Sequence, residues 1–346
     1  MVNILVTGGA GFIGSHVVDI LIERGHNVKV LDDLSGGFIE NVNQKAEFIK
    51  GSILDKALVE QTVQGIDIIY HLAAYAAEGL SHNVRKFNYT NNLIGSINLI
   101  NAAIKNKIKR FVFTSSIAVY GTSHGNPPFK EEDLKLPEDP YGIAKYAVEL
   151  DLESAYKKFG LEFTILRPYN VYGERQFIGD PYRNVFGIFM NRIMQSKKPK
   201  IFGDGNQKRA FTYIGDVAPA IVNAGFSEEA KNEIINIGGG KVYTVNEIAE
   251  EILLSMSSNL TKEYMPPRYE VKHAWCDNSK ATKMLGYEDK TSLKEGVSKM
   301  ALWAKSKGHM NPIIWEGYEL DSNLPEFWQN LNKEYPESGF RIRIGD

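Results

Sequence analysis

Ile4-Leu5-Val6-Thr7-Gly8-Gly9-Ala10-Gly11-Phe12-Ile13-Gly14 joins a short apolar run to a glycine loop of spacing G-x-x-G-x-x-G, and a helical pattern follows near Gly14–Arg24. In this context each glycine has a task. Gly8 permits the tight turn after a strand, Gly11 lets the backbone approach a pyrophosphate, and Gly14 allows close packing of helix on sheet. The helix N-terminus offers free N–H groups and a positive dipole end to the phosphates. A second strand ends in Asp32-Asp33, about 20 residues past the loop. An acid there accepts hydrogen bonds from an adenosine ribose and repels a 2′-phosphate, which favours NAD over NADP. A simple cap on a turn is the alternative for these aspartates. Gly51-Ser52-Ile53 is placed to flank the adenine, or is a plain turn at a strand end, and Leu72-Ala73-Ala74 offers small side chains beside a cofactor or to local packing.

Outward from the loop, β-branched runs alternate with amphipathic stretches. Strands are expected at Ile4–Val6, Val28–Leu31, Ile66–His71, Arg110–Thr114 and Leu161–Arg167, and helices near Gly14–Arg24, Asn92–Ile104 and Tyr141–Phe159. This alternation predicts an α/β fold with a Rossmann-like, doubly wound parallel sheet. Thr212–Ile214 and Ile234–Ile237 read as strands returning to that sheet. The expected division is a cofactor-binding domain over 1–175 with 205–240, and a smaller helix-rich lobe over 176–204 and 241–346. The end of the chain is rich in aromatics (Trp315, Tyr318, Phe327, Trp328, Tyr335) and is expected to pack on that lobe, because disordered tails are aromatic-poor.

The chain has 346 residues, 43% of them apolar and 24% charged, with net charge -2. That composition favours neither nucleic acid nor an anionic membrane as partner. Cys276 is the only cysteine, so no intramolecular disulfide framework exists, and a small packed thiol is its expected role. No apolar run is long enough to span a membrane, the start of the chain reads as a strand rather than a signal peptide, and a cytoplasmic location and no metal are expected.

A second string carries the chemistry. In Tyr141-Gly142-Ile143-Ala144-Lys145 a phenol and an ammonium stand at i, i+4 on one helix face, after Pro140 as helix entry. A phenol titrates near pH 10, and the expectation is that Lys145 favours the phenolate. Tyr141 can then take a hydroxyl proton while hydride leaves the same carbon. Ser116, at the end of the strand before, is suited to hydrogen-bond that hydroxyl.

Taken in order, these motifs resemble the extended short-chain dehydrogenase/reductases, in the NAD-dependent nucleotide-sugar epimerase/dehydratase group and nearest to the UDP-hexose 4-epimerases. The likeness runs from Met1 to about Val297. It implies bound NAD, catalytic Ser116, Tyr141 and Lys145, and cofactor contacts from Gly8, Gly11, Phe12, Ile13, Gly14, Asp32, Asp33, Ser52, Ile53, Leu72, Ala73, Ala74, Asn92 and Tyr169. It implies a nucleotide-sugar substrate, a UDP-sugar being favoured, held by Asn170, Asn184, Val185 and the strand Lys200-Ile201-Phe202. Arg209 and Arg268 would lie on the diphosphate, where arginine forks pair with phosphate oxygens; a surface salt bridge is the alternative for each. A homodimer through the helices Asn92–Ile104 and Tyr141–Phe159 is implied in the same way.

The resemblance also separates reactions. Its 4,6-dehydratases carry an Asp-Glu pair directly after the residue matching Ser116, and decarboxylating relatives carry a Glu. Here Ile117-Ala118 stand there, and neither moves a proton. That favours epimerisation at C4 through a transient 4-keto sugar. Tyr75, Glu78 and His82, on a loop where relatives contact the sugar, keep open a dehydratase or a 3- or 5-epimerase; contacts that set specificity are the alternative. An NADPH-consuming reductase and a non-catalytic NAD-binding protein are the other rivals, disfavoured by Asp32 and by the intact Ser116, Tyr141 and Lys145. Arg268-Tyr269-Glu270-Val271 is one residue shorter than the family spacing, near a position that gates sugar size, and a small Ala274 close by is compatible with a bulky substituent on the sugar.

Overall fold

The computed structural model describes residues 1–121, 127–267, 273–336 and 341–343. Arg268 and Tyr269-Glu270-Val271 lie outside the described residues, and the side chain of Ala274 is not described.

Seven parallel strands form the central sheet: β1 (Asn3–Thr7), β2 (Asn27–Asp32), β3 (Glu47–Lys50), β4 (Ile68–His71), β5 (Arg110–Thr114), β6 (Phe163–Pro168) and β7 (Glu233–Ile237). Their order is β7-β6-β5-β4-β1-β2-β3. The order reverses between β1 and β4, the switch point at whose strand ends ligands sit in open α/β sheets. Strand residues alternate between two cores. Ile4, Val6, Val28, Val30, Ile68 and Tyr70 face one side, and Leu5, Leu31, Ile69, Phe111 and Phe113 the other. Both faces are covered by helices, so the strands read as continuous apolar runs.

Two strand expectations change. Glu47–Lys50 pairs with β2 as the sheet edge, although its polar ends and partly exposed Phe48 and Ile49 hid it from an apolar-run reading. Thr212–Tyr213 does not join the central sheet; it pairs with Val171–Tyr172 in a separate ribbon above it. The helix expected from Asn92 begins earlier: Arg85–Tyr89 runs through a wide turn at Thr90–Ile94 into Gly95–Lys105.

The core on the first face continues into the region after β6. Phe186, Phe189 and Met190 of the helix Val185–Met194 join Ile248 and Ile252 of Val245–Ser255, and Val297 and Met300 of Leu293–Lys307. The aromatic end of the chain packs differently from expectation. Trp315, Leu324, Trp328 and Leu331 share a cluster with Ala77, Leu80 and Val84 from the loop after β4, and with Phe177 and Tyr182. It therefore covers both sides of the cleft rather than the lobe alone. Among the described residues no helix is long and apolar enough to cross a membrane.

Candidate active site

The helix Phe12–Glu23 starts at Gly11 with no side-chain cap and no acid in its first turn. Its free N–H groups are thus available to an anion. The loop before it has no room for side chains: a Cβ on Gly8, at φ +74°, would lie 2.7 Å from the Ala73 nitrogen, and one on Gly14 would lie 2.1 Å from the Gly8 carbonyl oxygen. Gly14 thus serves contact within the loop itself. A Cβ on Gly11 would meet only the Gly8 oxygen, at 3.1 Å, and Gly11 otherwise faces open space. Such a cradle suits a pyrophosphate pressed against backbone.

Asp32 ends β2 as a buried carboxylate. One oxygen accepts the Ala10 N–H at 3.0 Å and the other the Leu34 N–H at 2.8 Å. It ties the glycine loop to the turn after β2 while lining the cleft. Burial pushes its acidity down, raising the pKa, and the two backbone donors oppose that. Asp33 accepts the Ser35 N–H at 2.9 Å, and so caps a turn. Beneath the loop, Thr7 Oγ1 and Ser96 Oγ each lie 2.8 Å from a ring nitrogen of His71. Burial, aided by the Lys145 charge, takes this imidazole down to about 3, so it is neutral and structural.

The helix Pro140–Phe159 starts with Pro140 in its first turn and Asp139 as cap, its carboxylate accepting the Gly142 N–H at 2.8 Å. Tyr141 and Lys145 are thereby aimed at the end of β5. The Tyr141 phenol is hydrogen-bonded with Ser116, whose own oxygen accepts the Ala118 N–H at 3.1 Å. Lys145 donates to the Thr114 carbonyl at 2.8 Å, with its ammonium 5.7 Å from the Tyr141 ring centre. All three side chains are buried.

Burial overrides the electrostatics expected of the Tyr141–Lys145 pair. Burial first, and then the Glu78 carboxylate, raise the Tyr141 pKa, so the resting phenol is protonated. Burial lowers Lys145 to about 7 against the pull of Glu149. Desolvation outweighs the attraction that the i, i+4 spacing suggested.

One cleft of about 1590 Å³ gathers these groups. Gly8, Gly11, Phe12, Ile13, Gly14, Asp32, Asp33, Ser52, Ile53, Leu72, Ala73 and Ala74 line its cofactor end, with Ser116, Tyr141 and Lys145 alongside. Tyr75, Glu78, Tyr169, Asn170, Asn184, Val185, Lys200, Ile201, Phe202 and Arg209 also line it. Asn92 does not face this space. It is spent on both backbone groups of Tyr75, at 2.9 and 3.0 Å, and on Asn88. Asn170 and Asn184 donate to the Ala210 and Val171 carbonyls, and Asn184 also caps the helix that follows it. The Tyr169 hydroxyl donates to the Gly239 carbonyl at 2.8 Å.

In the loop after β4, Tyr75 is partly buried and lines the cleft. Its hydroxyl accepts the Trp315 indole N–H at 3.0 Å, and burial pushes its pKa far up, which removes it as a base. The sequence reading missed Arg183, which lines the cleft with its guanidinium 4.8 Å from the Tyr75 ring centre and 2.9 Å from Asp180. It also missed the wall supplied by Ser322, Asn323, Glu326, Phe327 and Trp328. Arg183 directly precedes Asn184, and that adjacency was the one local signal for it. Among the described residues no group of His, Cys, Asp and Glu is arranged to hold a metal.

The family model for the NAD dependent epimerase/dehydratase family matches residues 4–238. UDP-glucose 4-epimerase of Mycolicibacterium smegmatis is 34% identical, the match covering 88% of this chain and 98% of that protein. UDP-N-acetyl-alpha-D-glucosaminuronate decarboxylase of Bacillus cytotoxicus is 33% identical over 86% of this chain and 96% of its own. Among solved structures, UDP-glucose 4-epimerase of Thermotoga maritima with UDP-glucose superposes with TM-score 0.84 at 38% identity, covering 88% of this chain and 99% of that one. UDP-N-acetylglucosamine 4-epimerase of Methanobrevibacter ruminantium, in complex with UDP-N-acetylmuramic acid, gives 0.83 at 35% identity, with the same coverage.

Proposed function

The chain belongs to the NAD-dependent epimerase/dehydratase family, and from that premise we propose that it inverts C4 of a UDP-hexose through a transient 4-keto sugar. The observation that carries this reading is the meeting of Ser116, Tyr141 and Lys145 with the glycine loop in one cleft, while Ile117 and Ala118, which cannot move a proton, follow Ser116. Tyr75, partly buried, held by Trp315 and with its pKa pushed far up by desolvation, adds no base of its own.

The glycine loop, Asp32 and the Leu72–Ala74 turn would hold NAD, which when bound supplies the acceptor and donor of the C4 hydride. This chain's residues manage the proton. Ser116 hydrogen-bonds the C4 hydroxyl, and Tyr141 takes its proton as the carbon is oxidised to the ketone. Because burial and Glu78 favour the protonated phenol, proton uptake depends on positive charge nearby. Lys145 supplies it whenever its ammonium is charged, and a bound oxidised nicotinamide would add to it. The keto sugar turns in the cleft, and Tyr141 returns the proton when the opposite face is reduced. We assign a homodimer through the helices Gly95–Lys105 and Pro140–Phe159 to the same reading.

The test is mass spectrometry and chromatography of purified protein incubated, without added cofactor, with UDP-hexoses, UDP-hexosamines and UDP-hexuronates. An isomer of unchanged mass is expected. A product lighter by one water, or by carbon dioxide, overturns the assignment. Tyr141→Phe is expected to lower kcat by about 10²- to 10⁴-fold; full activity in that variant removes Tyr141 from the mechanism.

A further inference from the structure

The relatives are matched over nearly their whole length by 86–88% of this chain, and the family match already begins at residue 4. That family match ends at residue 238, and the segment from Met310 to Pro336 lies beyond it. That segment is built into the cleft. Met310 exchanges two hydrogen bonds with the Asn191 side chain, at 2.8 and 2.9 Å, and Ile313 N–H donates to the Gly179 carbonyl at 3.0 Å. On the opposite side the Glu319 carboxylate accepts the N–H groups of Lys86 and Phe87, at 2.7 and 2.8 Å. Asn83 exchanges hydrogen bonds with Leu320. A Cβ on Gly79 would lie 3.3 Å from the Trp328 ring. Farther on, Glu334 pairs with Lys197 at 2.8 Å and Arg192 at 3.6 Å. The segment is thus tied to the loop after β4 and also to the helix Val185–Met194.

Within it Leu324, Trp328 and Leu331 are buried, whereas Phe327 is only partly so and opens on the cleft. Its ring lies 4.8 Å from the Lys200 ammonium and 5.7 Å from the Arg192 guanidinium. Lys200, Ile201 and Phe202 line the same end of the cleft. An aromatic ring kept at a cleft wall between cations, while its neighbours are buried, is suited to the flat face of a base carrying an anionic phosphate tail.

We propose that Phe327 contacts the nucleoside of the substrate, and that the carboxyl-terminal segment is a strap completing the nucleotide end of the cleft. The inference rests on the nucleotide-sugar reading above. Base–aromatic contact contributes to binding, so loss of the ring acts on affinity and leaves the proton chemistry at Tyr141 untouched.

The experiment is titration calorimetry with UDP as the probe, on the NAD-loaded full chain, comparing wild type with Phe327→Ala and Phe327→Leu. The expected result is a Kd about tenfold higher for Phe327→Ala and an intermediate value for Phe327→Leu, with NAD content unchanged and both variants folded at the assay temperature. In turnover, KM rises with kcat held. Equal UDP affinity in wild type and Phe327→Ala overturns the strap contact and leaves the epimerase assignment standing. No UDP binding to the wild type overturns the nucleotide-sugar reading, and this proposal with it. UDP binding that depends on Phe327 without any isomerisation overturns only the reaction.

Discussion

Lys145 holds its ammonium 2.8 Å from the Thr114 carbonyl and is 2% exposed. Burial lowers its pKa from 10.5 to about 7. Below pH 7 the ammonium is charged in both folded and unfolded chains, so folding bears the full cost of burying it. Between pH 7 and 10.5 the unfolded state binds a proton that the folded state does not, and stability from this group rises with pH. Lys145→Met removes that dependence together with a hydrogen bond that matters at every pH. The variant's melting temperature relative to wild type is therefore expected to be more favourable at pH 6 than at pH 9.5, as scanning calorimetry at the two values would show. A difference independent of pH would mean that Lys145 titrates at its ordinary value.

At the scale of elements, the helix Pro140–Phe159 carries Tyr141, Lys145 and Glu149 one turn apart on one face. Glu149 locks the helix to the sheet. Its carboxylate takes both ends of the Arg167 fork from β6, at 2.9 and 2.5 Å, and accepts the Ser115 hydroxyl at 2.5 Å. The pair is almost wholly shielded from water, at 0% and 1% exposure, so removing one charge strands the other. Glu149→Gln is expected to cost about 3–5 kcal/mol, read as a lower urea midpoint at unchanged slope. Because Glu149 is the group that holds up the Lys145 pKa, the same variant shifts the pH dependence of turnover toward lower pKa. A loss under 1 kcal/mol would show that the pair is dispensable.

For the molecule as a whole, the central sheet and the region after β6 share a continuous core, and the cleft opens above the switch between β1 and β4. Among the described residues, one helix face presents apolar side chains to the surface. Ile143 and Leu150 are exposed on the helix Pro140–Phe159, in a stripe with Ala147, and Ile94 is exposed just before Gly95–Lys105. With the proposed dimer, light scattering is expected to give twice the mass of one chain, and Leu150→Glu is expected to give one. A wild type that runs as a single chain at micromolar concentration would remove the dimer.

Spacing and local pattern determined the glycine loop, the parallel α/β architecture and the Tyr141–Lys145 helix, because each is written within a few consecutive residues. The edge strand Glu47–Lys50 escaped because an edge buries too little apolar surface to leave a run. What the tertiary structure alone decided rests on contacts between distant positions. Trp315 meets Tyr75 across 240 residues of chain, Arg183 reaches that same ring, and Asn92 turns from the cofactor end to the Tyr75 backbone. The protonation of Tyr141 belongs with them. The i, i+4 spacing announces an ammonium beside a phenol, but its effect depends on how much water the fold leaves around both, and burial near Glu78 reverses the direction.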